Sequence, residues 1–309
     1  MLCVLATLWF NSGMSAPPQF KTVVIVGKPD GVGVAQPLNA LIALLKARGI
    51  RVWLDARTAE FATIKVDAVL PREPLDSLLS GADLAIAVGG DGTMLGLARG
   101  VAQHHVPLVG VNLGHLGFLT DIAAESLSPA INELLNGEFS EEQRLLLEAD
   151  IRRGGKSIFQ SVALNDVVVS RGAMGSMIEF AVEVNGEFVY SLRADGLIVN
   201  TPTGSTAYAL SSGGPILQPG LPAISLVPIS PHTLSNRPIA ISSDSEVRIR
   251  LIRGVNARVN FDVQSYFDPA TDDVVVIRSH ANRLRLLHPA GYKYFAMLRS
   301  KLHWNERTS

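Results

Sequence analysis

Apolar residues in the first third of the chain alternate between strand-like runs and helical spacing. Four strands are predicted, at 22–26, 50–54, 84–88 and 106–111. Between them, apolar residues at helical spacing predict one helix that ends near Gly49 and another that begins after Gly92. Residues 56–75 show no clear period. This βαβα rhythm predicts a parallel sheet with helices on both faces, whose strands end at one shared edge.

The pattern changes after Leu127. One more helical stretch, 131–135, gives way to short alternating segments at 145–151, 162–169, 178–184, 188–192, 197–200, 225–228, 247–252, 258–261, 274–277 and 284–287. Asn185-Gly186 lies between two of them and is a strong hairpin signal. Many short strands with glycine turns predict an all-β second domain.

The two ends of the chain differ from the rest. The first ten residues are apolar, but the first basic residue is Lys21, so they lack the basic region of a signal peptide. Met14 is a more natural start, and 1–19 is therefore predicted to be a non-native or disordered extension. At the other end an amphipathic helix is predicted, with an apolar face of Tyr294, Phe295, Leu298 and Leu302.

Composition narrows the class of protein. The 309 residues are 47% hydrophobic and 18% charged, with a net charge of -1, which is typical of a soluble globular chain long enough for two domains. Near-neutral charge gives no reason to expect nucleic acid or a membrane as partner. The single cysteine, Cys3, excludes an internal disulfide framework and is compatible with a reducing cytoplasm.

A glycine-bounded turn, Gly89-Gly90-Asp91-Gly92, follows the strand at 84–88 and precedes a helix. Glycines let backbone N–H groups approach an anion closely, and a helix N-terminus adds positive potential there. The one carboxylate, Asp91, suits activation of a hydroxyl group or binding of Mg²⁺. The alternative is a turn whose aspartate only caps the helix.

Residues 195–215 form a second glycine-rich and hydroxyl-rich stretch, DGLIVNTPTGSTAYALSSGGP. Taken with GGDGTMLG and the pair Asn165-Asp166, in this order and spacing, it resembles the NAD kinase family. Members of that family use ATP to phosphorylate NAD to NADP. The resemblance covers residues 23–304.

The resemblance implies roles for the first two motifs. Asp91 would accept the proton of the 2′-hydroxyl of the adenosine ribose, with Gly92 beside it in the ligand-binding turn. A Mg²⁺ ligand remains the other reading of Asp91. Asn165 and Asp166 would bind NAD, although such a pair without the resemblance is more typical of a turn.

Later positions follow by the same resemblance. Asp195 would contact the dinucleotide with Arg193 beside it, from the same or a neighbouring subunit; the alternative is a surface ion pair. Polar contacts are expected from Thr206, Ala207, Tyr208, Ala209, Leu210 and Ser211. Ser176 matches a position that is basic or a histidine in some members, so serine weakens that contact. Gln264 would donate an amide contact, although Val263 departs from the small residue usual before it.

The motifs and the pattern together predict four parts. Residues 1–19 are the extension, 20–126 an α/β domain with a parallel, Rossmann-like sheet, 127–287 an all-β NAD-binding domain, and 288–309 a segment that returns to the N-terminal domain. His115, His232 and His288 lack metal-ligand spacing and are predicted to be structural rather than ligands of a zinc site.

The resemblance implies ATP as phosphate donor, NAD as substrate, a divalent cation such as Mg²⁺, and a cytoplasmic homodimer or homotetramer. Two alternatives remain open. One is a lipid or sphingoid-base kinase, which shares the GGDG turn but not the TPTGSTAY stretch. The other is a non-catalytic dinucleotide sensor, which has no need of Asp91.

Overall fold

The computed structural model describes residues 20–28, 33–61, 72–114, 117–172, 176–233 and 235–304. The predicted extension at 1–19 and His115 lie outside the described residues. The first half alternates strands and helices: β1 (Thr22–Gly27), α1 (Ala35–Ala47), β2 (Arg51–Asp55), α2 (Ala56–Phe61), β3 (Arg72–Glu73), α3 (Leu75–Leu79), β4 (Leu84–Gly89), α4 (Asp91–Gln103), β5 (Leu108–Asn112), β6 (Ile122–Ala123) and α5 (Leu127–Leu135).

Strands dominate the second half: β7 (Phe139–Arg144), β8 (Leu147–Arg153), β9 (Lys156–Ala163), β10 (Asp166–Arg171), β11 (Ile178–Val184), β12 (Glu187–Ala194), β13 (Gly196–Asn200), α6 (Tyr208–Ser211), β14 (Ala223–Ile229), β15 (Ile239–Ser242), β16 (Val247–Arg253), β17 (Ala257–Phe261), β18 (Ser265–Phe267), β19 (Val274–Ser279), β20 (Leu284–Pro289) and α7 (Tyr294–Lys301). Two 3₁₀ turns cover Ala124–Ser126 and Thr203–Thr206.

The first sheet has the order β3-β2-β1-β4-β5-β20-β7, with β6 also paired to β5. Its strands from β3 to β5 are parallel. The order reverses between β1 and β4, which is the place where open α/β sheets bind ligands. The predicted Rossmann-like α/β architecture is confirmed.

The first sheet takes two strands from later in the chain. β20 pairs in parallel with β5, and β7 pairs antiparallel with β20. Sequence analysis assigned the segment 284–287 to the β domain, because alternation within one strand carries no information about its partner. The structure instead places it beside β5, where Leu284 and Leu286 are buried together with α4 residues.

The β part consists of two six-stranded antiparallel sheets, β15-β14-β13-β10-β17-β18 and β12-β11-β16-β19-β8-β9. Their inner faces share one apolar core that includes Phe180, Val199 and Ile249. The predicted hairpin at Asn185-Gly186 forms between β11 and β12, and both residues have positive φ, as a type I′ turn requires. The mostly-β character of this part is confirmed.

The C-terminal helix α7 lies at the junction of the two parts. Tyr294 and Met297 line a small cavity with Leu119 from the first part and Thr203 from the second. Leu298 is buried, as predicted, but Phe295 is 58% exposed, so it does not belong to the buried face. Among the residues the structure describes, no helix is both long and apolar enough to cross a membrane.

Candidate active site

The predicted glycine turn connects β4 to α4. Gly90 is the N-cap residue, and its carbonyl accepts hydrogen bonds from the N–H groups of Thr93 and Met94 at 3.0 and 3.3 Å. A Cβ on Gly89 would lie only 2.3 Å from Thr93 Oγ1, so the close packing of this turn requires glycine. Asp91 therefore opens α4, where the positive end of the helix dipole favours a negative charge.

The carboxylate of Asp91 is held by the segment that follows β5. Phe118 N–H donates to Oδ2 at 2.8 Å, and Leu119 N–H donates to Oδ1 at 3.0 Å. A Cβ on Gly117 would lie 1.8 Å from Oδ1, so the backbone touches the carboxylate at this point. Each oxygen retains acceptor capacity for another partner. Asp91 was predicted as a site residue, whereas residues 117–119 were not.

Two further polar residues lie at the same edge of the sheet. Asn112 ends β5 directly opposite Gly89, and its side chain accepts the N–H of Gly114 at 3.2 Å. Lys28 follows β1, and its Cβ is 3.3 Å from the place a Cβ on Gly89 would take. Lys28 therefore lies beside the glycine turn, at the point where the strand order reverses.

Asn165 lies in the turn between β9 and β10, Asp166 begins β10, and Asp262 organises this turn. The Asp262 carboxylate accepts three backbone N–H groups: Leu164 at 2.7 Å, Asn165 at 2.8 Å and Asp166 at 3.1 Å. No role was predicted for Asp262 from the sequence. The contact joins residues nearly one hundred positions apart, so no local pattern could have revealed it.

The side chains of Asp166 and Asp262 are two buried carboxyl groups close together. Burial, and after it the negative charge of Asp262, raises the pKa of Asp166 to about 7. Burial also raises the pKa of Asp262, although its three N–H donors and the charge of Arg99 act in the opposite direction. With this pKa, the carboxyl group of Asp166 changes its protonation state near neutral pH. Its protonated form donates a hydrogen bond, and its ionised form accepts hydrogen bonds from hydroxyl groups.

The TPTGST segment packs directly on this turn. Thr201 N–H donates to the Asn165 carbonyl at 2.9 Å, and Thr201 Oγ1 donates to the Leu164 carbonyl at 2.6 Å. A Cβ on Gly204 would lie 2.1 Å from the Asn165 carbonyl oxygen. The TPTGST segment therefore requires glycine at position 204, because its backbone contacts the backbone of Asn165.

The predicted positions 206–211 follow as the end of a 3₁₀ turn and the short helix α6. Tyr208 and Ser211 are exposed, and Thr206, Ala207 and Leu210 are half-buried. Ala209 is fully buried in a small core with Ile198. The Ser211 hydroxyl donates to the Tyr208 carbonyl at 3.0 Å.

Gln264 brings the β17–β18 hairpin to helix α4. Its Oε1 lies 3.5 Å from the place a Cβ on Gly96 would take. Asp262 and Val263, at the tip of the hairpin, have φ of 54° and 57°, so a type I′ turn forms although it contains a valine. Nearby, Arg99 of α4 donates to Ser265 Oγ at 3.2 Å. The hairpin therefore connects Asp91's helix to the Asn165-Asp166 turn.

Arg193, Asp195 and Ser176 lie at the other end of β10. Asp195 pairs with Arg171 at 2.7 Å rather than with Arg193, which is exposed. Ile178 pairs with Ala194, which places the exposed Ser176 at this same end. Five residues of strand separate Arg171 from Asp166, roughly 16 Å. The predicted site residues thus form two groups, one connected to helix α4, which begins at Asp91, and one at the other end of β10.

The described residues contain no group of three or more His, Cys, Asp or Glu side chains that could hold a metal ion. Asp91 is the one carboxylate at the glycine turn, and a single carboxylate fits a Mg²⁺ ion that arrives on nucleotide phosphates rather than in a protein cage.

A glycine turn at the reversal point of a parallel sheet is typical of nucleotide-binding proteins. Residues 23–139 match the ATP-NAD kinase N-terminal domain, and residues 164–288 match the ATP-NAD kinase C-terminal domain. The chain therefore belongs to the NAD kinase family.

Full-length relatives agree with this assignment. The chain is 48% identical to the NAD kinase of Paraburkholderia phytofirmans over 96% of its length and 98% of the relative's. It is 49% identical to that of Nitrosospira multiformis, over 93% and 96% of the two chains.

Two solved structures have the same fold at 25% identity. Yeast NADH kinase complexed with NADH gives a TM-score of 0.85 over 94% of this chain and 90% of that one. An NAD kinase from Archaeoglobus fulgidus in complex with ATP gives 0.70 over 91% and 98%.

Proposed function

We infer that this member of the NAD kinase family transfers a phosphoryl group from ATP to the 2′-hydroxyl of the adenosine ribose of NAD, giving NADP. The observation that carries the mechanism is the Asp91 carboxylate, oriented by the N–H groups of Phe118 and Leu119 at the ligand-binding edge of the sheet. Phosphoryl transfer depends chiefly on positioning and charge neutralisation, so a fixed carboxylate that accepts the hydroxyl proton suits it.

The Asn165-Asp166 turn would bind NAD, the acceptor of the phosphoryl group. Ionised Asp166 accepts hydroxyl hydrogen bonds, and Asn165 offers both donors and acceptors. Residues 206–211 supply exposed hydroxyl and backbone groups next to that turn, and Gln264 completes it from the hairpin. The TPTGST segment packs against the Asn165-Asp166 turn, backbone to backbone, at Gly204. This contact supports the action of the two segments as one binding surface.

Mg²⁺ would accompany ATP and neutralise charge on the transferred phosphoryl group. Asp91 would be the carboxylate that contacts it. Lys28 and the N-terminus of α4 supply positive potential for the phosphates at the same edge.

The remote group, Ser176, Arg193 and Asp195, would contact the far end of the dinucleotide, either along one chain or in a second copy of a homodimer or homotetramer. The roughly 16 Å from Asp166 along β10 supports separate roles for the two groups. We place the enzyme in the cytoplasm, where its substrates are available.

The test is an Asp91→Asn variant assayed with NAD or NADH, ATP and Mg²⁺, with NADP or NADPH followed by mass spectrometry. We expect NAD binding to persist while kcat falls by about 10²–10⁴-fold, the usual contribution of a general base. The matched control is Asp83→Asn, because Asp83 also accepts two backbone N–H groups, those of Lys21 and Thr22, but at the opposite edge of the sheet.

Three outcomes are informative. Wild-type enzyme that binds NAD but forms no NADP would overturn the transfer reaction. Asp91→Asn with wild-type kcat would overturn the role of Asp91. A variant whose activity returns at high Mg²⁺ concentration would make Asp91 a metal ligand rather than the proton acceptor.

A further inference from the structure

A buried histidine lies between two carboxylates at the junction of the two parts. His288, at the end of β20, is 2% exposed. Its Nδ1 is hydrogen-bonded to Asp121 Oδ2, and its Nε2 is 3.1 Å from Glu142 Oε2. Ionised carboxylates only accept hydrogen bonds, so both ring nitrogens must carry protons. The geometry therefore describes an imidazolium.

The surroundings of the ring support this charge. Arg144 of β7 donates to Glu142 at 2.6 Å, and the Tyr292 ring stacks on the imidazole with centroids 4.0 Å apart. Burial alone lowers the pKa of His288, but the hydrogen bonds that the ring donates to Asp121 and Glu142 outweigh it and raise the pKa above its usual value. The groups that face the ring are thus Asp121, Glu142, Arg144 and Tyr292, with Tyr294 of α7 next to them.

From the ring, one path of contacts leads to Asp91. Asp121 directly follows Thr120, a fully buried residue whose Oγ1 accepts the N–H of Gly117 at 3.0 Å. The next two N–H groups, those of Phe118 and Leu119, hold the Asp91 carboxylate. Asp121 Oδ1 is buried without a hydrogen-bond partner in the described part of the chain, so this side chain depends on His288.

A second path leads to the TPTGST segment. Glu142 binds Arg144, and Arg144, which is 2% exposed, donates to Thr203 Oγ1 at 3.3 Å. Thr203 begins the 3₁₀ turn that leads into the proposed contact residues 206–211. The ring therefore contacts the segment that holds Asp91 directly, through Asp121, and reaches Thr203 through Glu142 and Arg144.

We propose that protonated His288 is a positioning residue, which fixes segment 117–121 so that the N–H groups of Phe118 and Leu119 hold Asp91 in its reactive orientation. This inference rests on the proposed function of Asp91. Its consequence has a definite sign. The bridge is intact while His288 is protonated and both carboxylates are ionised, and it is lost as the pH rises through the raised pKa of His288, so kcat decreases on the alkaline side.

The test combines kinetics with a direct probe of the segment. Gly117-Phe118 is the one Gly-Phe pair of the chain, so labelling with ¹³C-carbonyl glycine and ¹⁵N-phenylalanine isolates the Phe118 amide in an NMR spectrum. The titration of His288 itself is followed in imidazole ¹⁵N spectra and assigned by the loss of its signals in His288→Gln. The matched control is His104→Gln, because His104 also pairs with an aspartate, Asp76, but at the surface.

In wild-type enzyme three quantities are followed against pH: the NMR signal of the Phe118 amide, the NMR signals of the His288 ring, and kcat. We expect all three to change with the same midpoint on the alkaline side. His288→Gln should lower kcat by roughly 10–100-fold, the range expected from a misplaced reacting group. We expect KM for ATP and NAD to change less than threefold, and the alkaline limb to disappear. Glu142→Gln removes one carboxylate partner of His288 and keeps the ring, so it should move the alkaline decrease of kcat to lower pH. This variant replaces His288→Gln in the test if His288→Gln does not fold.

A ring that is neutral at pH 7, or a Phe118 amide that ignores its titration, would overturn the inference. A folded His288→Gln variant with the kcat and pH profile of the His104→Gln control would do the same. The NMR measurements need no turnover. Failure of the proposed function, seen as no NADP from wild-type enzyme, is therefore distinguishable from failure of this inference.

Discussion

The sharpest test of the acceptor side is Asp262→Asn. Asp262 does not need to touch a ligand, yet its carboxylate fixes the backbone of Leu164, Asn165 and Asp166 through three hydrogen bonds. Asparagine has nearly the same shape but one acceptor oxygen in place of two. If its oxygen keeps Asn165 and Asp166, its NH₂ group faces the N–H of Leu164, and a buried donor loses its partner.

The magnitude follows from these bonds. Leaving one buried donor unsatisfied costs about 1–3 kcal/mol. The two bonds that remain weaken, because a charged acceptor makes bonds roughly twice as strong as a neutral one. Loss of the buried negative charge next to Asp166 offsets part of this cost. We expect a net destabilisation of about 1–3 kcal/mol and, since the Asn165-Asp166 turn loosens, a KM for NAD raised about tenfold with a smaller change in kcat.

Urea denaturation followed by circular dichroism gives the change in stability from the midpoint shift. Steady-state kinetics give KM and kcat separately. The control is Asp268→Asn, the same substitution on an exposed aspartate after β18 that pairs with Arg258. It should leave the midpoint and KM near wild type, because surface ion pairs contribute little. An Asp262→Asn variant that matches this control in both measurements would refute the reasoning.

Three further predictions follow from single contacts. Gly117→Ala should lower kcat by at least tenfold, because the new Cβ would lie 1.8 Å from Asp91 Oδ1. Gly114→Ala is the control and should be active, because a Cβ there meets no atom within 4 Å. Equal kcat values for the two variants would contradict this prediction. Val263→Gly should raise the free energy of unfolding by up to about 1 kcal/mol, since it relieves a left-handed φ at an exposed valine. The control is Val255→Gly, at an exposed valine with ordinary φ, which should lower the free energy of unfolding. Because the folded pKa of Asp166, about 7, lies above its unfolded value, the stability from this group is complete below about pH 4 and is lost as the pH rises through 7. Asp166→Asn should therefore gain stability relative to wild type by up to about 4 kcal/mol between pH 4 and 8, and a constant difference across that range would exclude the raised pKa.

Local signals in the sequence predicted the parts of the site that depend on neighbours along the chain. The strand-turn-helix at Asp91 follows from an apolar run, two glycines and helical spacing within twenty residues. The Asn185-Gly186 hairpin follows from two residues that accept positive φ. In both cases the interacting groups are close in sequence, so the pattern carries the necessary information.

Contacts between distant segments could not be predicted in this way. Asp262 reaches Asn165 across 97 positions, and His288 reaches Asp121 across 167. Alternation in 284–287 indicated a strand but not its neighbour, so the segment was placed in the wrong sheet. Asp195 was considered with Arg193 because the two share a strand face, whereas its partner, Arg171, comes from the adjacent strand.

Val263 shows how a departure from a family pattern can mislead. Its φ of 57° costs a β-branched residue about 1–2 kcal/mol in principle. The turn forms because its neighbours determine it: Asp262 is fixed by three N–H groups, and Gln264 N–H donates to the Phe261 carbonyl at 2.8 Å. The strain is thus met by contacts that also build the proposed site. A small residue here would relieve strain without altering those contacts, which is why Val263→Gly separates stability from catalysis while Asp262→Asn affects both.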